Sequence, residues 1–277
     1  MEIGNSIIKL SQFMFLFLLI SQFQVIGDWK KIKELSILLL FIKISDVLIN
    51  AFFKIINFWP YIWHFDQSYI NSINTILFSW YGFADFGKIG MWTVLFSFPK
   101  FNLISDFLSI MLVIKYFKFK SLNNNELPQN KFIYPIFVFA LILNIGFFLS
   151  DSEISSYSIK FNIPLLTKEI LSENGSTIVW NISSFYILFF AAGIISYYFY
   201  LSKKSSEINL FKYYFLSYLV FLFFIEFLKN EIPYISTFTN NLNSHDKTMQ
   251  NSWSGFSFSQ IQSLLFGILF LFKSYKK

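Results

Sequence analysis

Long apolar runs, separated by short polar segments that carry lysine, dominate this chain. The runs cover residues 7–26, 35–58, 73–98, 101–117, 132–149, 179–201, 210–228 and 256–272. An α-helix needs about 20 apolar residues to cross the hydrocarbon of a bilayer. The pattern therefore predicts an all-α fold: a polytopic membrane helix bundle of seven or eight transmembrane helices, one integral membrane domain over residues 1–277. The first run has no small-residue cleavage pattern after it and reads as an uncleaved membrane helix rather than a signal peptide.

Between the runs, GDWKKIKE reads as a loop after the first helix, and WPYIWHFDQSYINS, residues 59–72, as an interfacial aromatic loop. The run 73–98 carries Gly82, Asp85, Gly87, Lys88 and Gly90, which points to a re-entrant or interfacial segment. The polar stretch 150–178 is long for a connection and predicts a small extracytoplasmic head segment. Lysine clusters fall in 28–34, 115–131, 202–212 and the tail. The positive-inside bias puts these, with the C-terminus, in the cytoplasm, and 58–72, 150–178 and 229–256 outside.

Composition narrows the chemistry. The chain of 277 residues is 55% hydrophobic and only 14% charged, against roughly 25% charged in soluble domains. Its net charge of +6 sits in short loop clusters, so no nucleic-acid partner is implied. There is no cysteine, and the two histidines, His64 and His245, fall in expected loops; a zinc site is not implied, and neither is a cofactor. All 22 basic residues are lysine, so no guanidinium fork is available for a phosphate or carboxylate.

Polar residues inside the apolar runs are the candidates for function, because lipid disfavours them. Glu226 and Lys229 share a face near the end of their run, and Lys43 and Asp46 do so in the second, each pair three residues apart. Both spacings permit an ion pair, as does Asp85 with Lys88. Gln260 opens the last run, either facing a polar cavity beside Glu226 or bonding to backbone. Asn144, followed by Gly146, lies deep in its run, where an amide is expected to bond across helices. Glu169 reads as a solvated loop carboxylate or part of a helix start.

Several of these residues stand in patterns that resemble the bacterial prolipoprotein diacylglyceryl transferase family. FIEFLK (Phe224 to Lys229) is similar to the family's F-I-E-F-F-R, and SQIQS (Ser259 to Ser263) to its G-Q-I-L-S-like run. LNIGFFLSD resembles G-R-[IL]-G-[NC]-F-[IL]-x-G, and FGKIG followed by FPKF resembles G-R-I-G followed by F-P-x-F. The pieces occur in the family's order across residues 80–273. The resemblance implies Glu226 as the catalytic carboxylate. It implies a substrate-binding set of Asn144, Gly146, Gln260, Lys88, Lys229 and Tyr218, with no metal. The implied partners are membrane phospholipid and a lipoprotein precursor, and the implied location is the bacterial inner membrane. The implied reaction moves diacylglyceryl from phosphatidylglycerol to a lipoprotein cysteine.

The departures point to degeneracy. The family's His-Gly-Gly is missing, its slot falling near Tyr81–Gly82 or Ser105–Asp106. Family arginines are replaced by Asn144, Leu222, Lys88 and Lys229. The family's P-[ST]-Q-L-Y-E falls either at Pro164–Glu169 or, with better spacing and without the glutamate, near Asn181. The alternatives are a non-catalytic lipid- or lipoprotein-binding membrane factor, or an unrelated small transporter.

Overall fold

A computed structural model describes residues 2–64, 103–116, 128–150, 154–160, 162–172, 175–201, 210–229 and 256–275. In chain order these form α1 (Glu2–Gln22), α2 (Trp29–His64), α3 (Leu103–Tyr116), a 3-10 turn (Pro128–Phe132) and α4 (Ile133–Ser150). Three strands follow, β1 (Ile154–Ile159), β2 (Thr167–Ser172) and β3 (Gly175–Asn181), then α5 (Ile182–Leu201), α6 (Leu210–Lys229) and α7 (Phe258–Tyr275). Among the described residues, four helical stretches are long and apolar enough to cross a membrane: Trp29–Phe53, Gln129–Leu149, Ile182–Tyr200 and Leu210–Lys229. The chain is accordingly a helical, membrane-embedded protein. The expected seven or eight spans are not reached within the described residues; α1 and α7 carry shorter apolar stretches, Phe13–Gln22 and Phe258–Leu271. The expected re-entrant segment 73–98, with Asp85 and Lys88, lies outside the described residues, as does His245.

Three local elements differ from the expected ones. The lysines of GDWKKIKE are helical rather than looped, because the Asp28 carboxylate accepts from the amides of Lys30 and Lys31 and caps α2. At its far end α2 continues through Trp59–His64, where a loop was expected, even with Pro60 inside it. The polar stretch folds as an antiparallel sheet, which departs from an all-α fold. Its strands are short segments with Ile, Thr, Val and Trp between turn residues, the composition strands favour. Glu169 lies exposed on β2 rather than in a loop or helix start.

The chain forms two compact units. One comprises Met1–Ser36, Phe119–Glu231 and Gln262–Lys277; the other comprises Ile37–Lys118 and Ile232–Ile261. In the first, the chain leaves α1 through Gln24, which is left-handed (φ 50). The amide of Val25 reaches the carbonyl of Ile20, and that of Gln24 reaches Ser21, which satisfies carbonyls the helix leaves open. Helix α1 packs along α4 through Phe15 on Phe139, and Phe23 behind it lies edge-on to Phe132. Asn130 in the 3-10 turn accepts from the amide of Phe211 and so caps the start of α6 from another element.

Aromatic rings fix how α4, α5 and α6 meet. Phe137 stands edge-on to Phe190 and Tyr214, and Tyr134 stacks on Tyr197. Along α5 and α6, Tyr186 and Phe189 meet Phe221, Phe190 meets Tyr218, and Tyr197 meets Tyr214. Numbers rise on one helix as they fall on the other, so the two are antiparallel, and the start of α5 lies level with the end of α6. The sheet, in the order β1-β3-β2, leads directly into α5, with β1 packed against α5 and α6.

One close approach underlies this seam. A Cβ built on Gly193 would run into the ring of Phe137, closer than any allowed contact. Phe137 is itself buried. Gly193→Ala is therefore expected to destabilise the protein by about 1–3 kcal/mol, the range of overpacked cores. Thermal unfolding of the detergent-solubilised protein measures the loss, and adding Phe137→Leu is expected to restore part of it.

Candidate functional site

The start of α5 and the end of α6 form the polar end of an otherwise aromatic seam. Helix α5 begins at Ile182, immediately after β3. The backbone there is held from the β1–β2 connection: the amide of Asn181 donates to the Leu166 carbonyl at 2.8 Å, and Ser184 Oγ donates to that of Leu165. Leu165 is exposed and left-handed (φ 71), a conformation that disfavours a side chain. Thr167 fastens the same turn, taking the amide of Ile163 at 2.9 Å.

Glu226 and Lys229 meet as their spacing predicts. Lys229 Nζ lies 2.8 Å from Glu226 Oε1, and the Glu226 side chain is 1% exposed against 25% for Lys229. The ammonium also lies over the ring of Tyr186, 5.3 Å from its centroid, and bonds the Tyr186 side chain. Tyr186 comes from α5, so the pair is clamped between two helices. A buried ion pair gains from such extra partners, because they replace the water that both charges lose. Tyr186 was not among the residues singled out from sequence. The available signal was its place one turn into a helix that begins at Ile182.

The other residues of the expected set are engaged locally. Asn144 donates to the carbonyl of Ala140 at 2.8 Å, back along its own helix rather than across to another. An amide one turn from a carbonyl on the same face takes that bond without ordering a second helix. Gly146 is buried on the same helix. Tyr218 is buried in the aromatic seam between Phe189 and Phe190. Leu222, in an arginine's place by the resemblance, is buried apolar surface. Lys88 lies outside the described residues.

Gln260 belongs to the second compact unit, whereas Glu226 and Asn144 belong to the first. Its Oε1 accepts from the amide of Ser257 at 2.9 Å, while Ser257 Oγ accepts from the amide of Gln260 at 3.2 Å. This reciprocal pair is a capping box: two amides at the start of α7 find acceptors, with Ser257 at the cap and Gln260 three residues on. The backbone-bonding reading of Gln260 is the one observed.

The second unit also holds a polar cluster built on the Lys43–Asp46 pair, which forms at 2.9 Å as expected. Its extent was not foreseen. Asp46 Oδ1 accepts from Asn50 Nδ2 at 2.7 Å and from Ser105 Oγ at 2.6 Å, so α2 and α3 are joined through the carboxylate. Asn50 also donates to Ser105 Oγ at 2.6 Å, and Ser109 Oγ donates to the Ser105 carbonyl. Asp106 feels the charges of both Asp46 and Lys43. Ser105 and Asp106 are one of the two places where the family's His-Gly-Gly slot falls, and here the serine serves the carboxylate.

Among the described residues no group of three or more histidine, aspartate and glutamate side chains is placed to hold a metal. No family model matches the chain, and comparison with curated proteins and with solved structures returned no match.

Two outcomes follow from these geometries. Asp46 is buried but Lys43 is half-exposed, so removing the carboxylate mainly strands the buried donors of Asn50 and Ser105, and an unmet buried donor costs about 1–3 kcal/mol. Asp46→Ala is expected to lose stability on that scale in denaturant unfolding, and Asp46→Asn, which keeps an acceptor for Ser105, less. For the buried Gln260, a capping role predicts a loss when either member of the box is removed. Gln260→Ala and Ser257→Ala are each expected to lose about 0.5–2 kcal/mol, with little further loss in the double variant.

Proposed function

We propose that this chain is a prolipoprotein diacylglyceryl transferase-like protein of the bacterial inner membrane, one that binds phospholipid beside Glu226 and is degenerate for group transfer. The carrying observation is the buried Glu226–Lys229 pair, held under Tyr186 where α5 and α6 emerge beside the sheet. A carboxylate and an ammonium kept out of water at one end of an apolar seam suit the recognition of a polar headgroup whose chains lie along the seam. The lysine distribution supports an outward orientation for this end and a cytoplasmic C-terminus.

Three features support binding over chemistry. Transfer from phosphatidylglycerol releases a phosphate-bearing leaving group, which paired donors in a fixed fork stabilise best, and the chain has no arginine. At the place of one family arginine, Asn144 spends a donor on its own helix. At a second, Leu222 offers no donor at all.

Expression in a transferase-depleted bacterium tests the reading. At matched expression the protein is expected not to restore growth, and phosphatidylglycerol is expected to co-purify with it and to be lost from Glu226→Ala. Restored growth that disappears with Glu226→Ala would establish an active transferase instead. Purified protein without retained phospholipid would remove the binding reading.

A further inference from the structure

Among the described residues, two buried side-chain polar atoms have no hydrogen-bond partner: Ser183 Oγ and Gln262 Nε2. Ser183 is the informative one. It is fully buried, in the first turn of α5, one helical turn before Tyr186 and on the same face. A helical serine ordinarily satisfies itself by bonding back to a carbonyl three or four residues earlier. Here those residues are Trp180 and Val179. Both lie in the central strand β3, in register with Thr167 on β2 and with Ser158 and Lys168 on its two neighbours. Lying in extended strand rather than helix, Trp180 and Val179 do not present their carbonyls along the axis of α5 as a preceding helical turn would. Its neighbour Ser184 is satisfied by the Leu165 carbonyl.

The surroundings of this hydroxyl favour an anion. The first amides of a helix have no intrahelical acceptor, and the helix dipole places partial positive charge at that end. Helix α5 has 20 residues, long enough for the full effect. Level with it, at the end of α6, Lys229 uses one N–H on Glu226 and one on Tyr186. The Lys229 side chain stays 25% exposed, so its ammonium is reachable from outside the pair. A hydroxyl without a partner, a helix start and a part-exposed ammonium therefore fall at one end of one helix pair.

We infer that Ser183 is a ligand-contacting residue: its hydroxyl and Lys229 together receive an oxygen of a phosphate group at the N-terminus of α5. The assignment rests on the reading of this end as a phospholipid site and names the part of the ligand that the site recognises. It also explains why an unmet buried hydroxyl persists. An unmet polar atom destabilises the empty protein, whereas a ligand oxygen that meets it converts the same atom into affinity.

This gives Ser183→Ala opposite effects on stability and on binding. Full-length protein in maltoside micelles, which contain no phosphate, is titrated with phosphatidylglycerol, with diacylglycerol and with inorganic phosphate. Thermal unfolding is followed with and without each. Ser183→Ala is expected to melt at the parental temperature or above it without lipid. Its affinity for phosphatidylglycerol is expected to fall about tenfold, the ratio a hydrogen bond to a charged group supplies. Ser183→Thr keeps the hydroxyl and is expected to keep the affinity. Binding of phosphatidylglycerol but not inorganic phosphate identifies a lipid headgroup, and binding of both identifies a general phosphate site; either outcome supports the assignment if Ser183→Ala weakens it. The assignment is overturned if Ser183→Ala melts lower without lipid, if it binds phosphatidylglycerol as the parent does, or if diacylglycerol binds as tightly as phosphatidylglycerol. Parent protein that binds none of the three removes the phospholipid site itself, which is distinct from parental binding by Ser183→Ala.

Discussion

A carboxylate buried among apolar helices has to be neutralised where it stands, and this chain does so the same way twice. Asp46 and Glu226 each have a lysine one helical turn away on the same helix, at 2.9 and 2.8 Å. The arrangement is local. As soon as the helix forms, the charges are neighbours, so the segment enters an apolar environment carrying a pair rather than a bare ion. Long-range contacts then supply the remaining partners. On Asp46 these are Asn50 and Ser105, which tie α2 to α3; on Lys229 it is Tyr186, which ties α6 to α5. In both units the buried pair thus selects the neighbouring helix as well as solving its own solvation.

Ring packing performs the other half of the positioning. The contacts from Tyr186 on Phe221 to Tyr197 on Tyr214 set the register of α5 against α6, and Phe137 reaches the seam only because residue 193 has no side chain. An apolar seam alone tolerates sliding, since one phenyl ring packs much like the next. The Lys229–Tyr186 contact and the bonds from Asn181 and Ser184 to the 165–166 backbone fix the polar end against that freedom. The sheet has a mechanical role here: it holds the turn that holds the start of α5.

Much of the helical content was readable because runs of apolar residues leave few alternatives. Residues 132–149, 210–228 and 256–272 coincide with helices to within a few positions, and the two i,i+3 ion pairs follow from spacing alone. What sequence did not give were the features that depend on contacts between distant segments. The strands of the polar stretch need each other for their hydrogen bonds, so no single segment announces them. Ser105 acquires its meaning only when α3 lies against Asp46, 59 residues earlier. Gln260 shows the opposite case: its cap is local, carried by the S-x-x-Q spacing from Ser257 before an apolar run. Sequence left both a polar cavity and a backbone bond open for it, and only the resemblance pointed to a ligand.

Satisfied and unsatisfied polar atoms divide this protein informatively. Asn144, Gln260, Asp46, Ser184 and Thr167 all have partners that are structural and close at hand, which is what apolar surroundings demand. Residues so engaged are poor choices for a ligand, because a newcomer has to replace a bond already made. The opposite holds at the start of α5. There the fold places a serine whose buried hydroxyl has no partner among the described residues, at the helix end level with the Glu226–Lys229 pair. Stability alone would favour alanine at 183, since an apolar methyl leaves nothing unmet. On the proposed reading, the hydroxyl at 183, at a helix start level with a buried charge pair, marks the site by what the fold leaves unfinished.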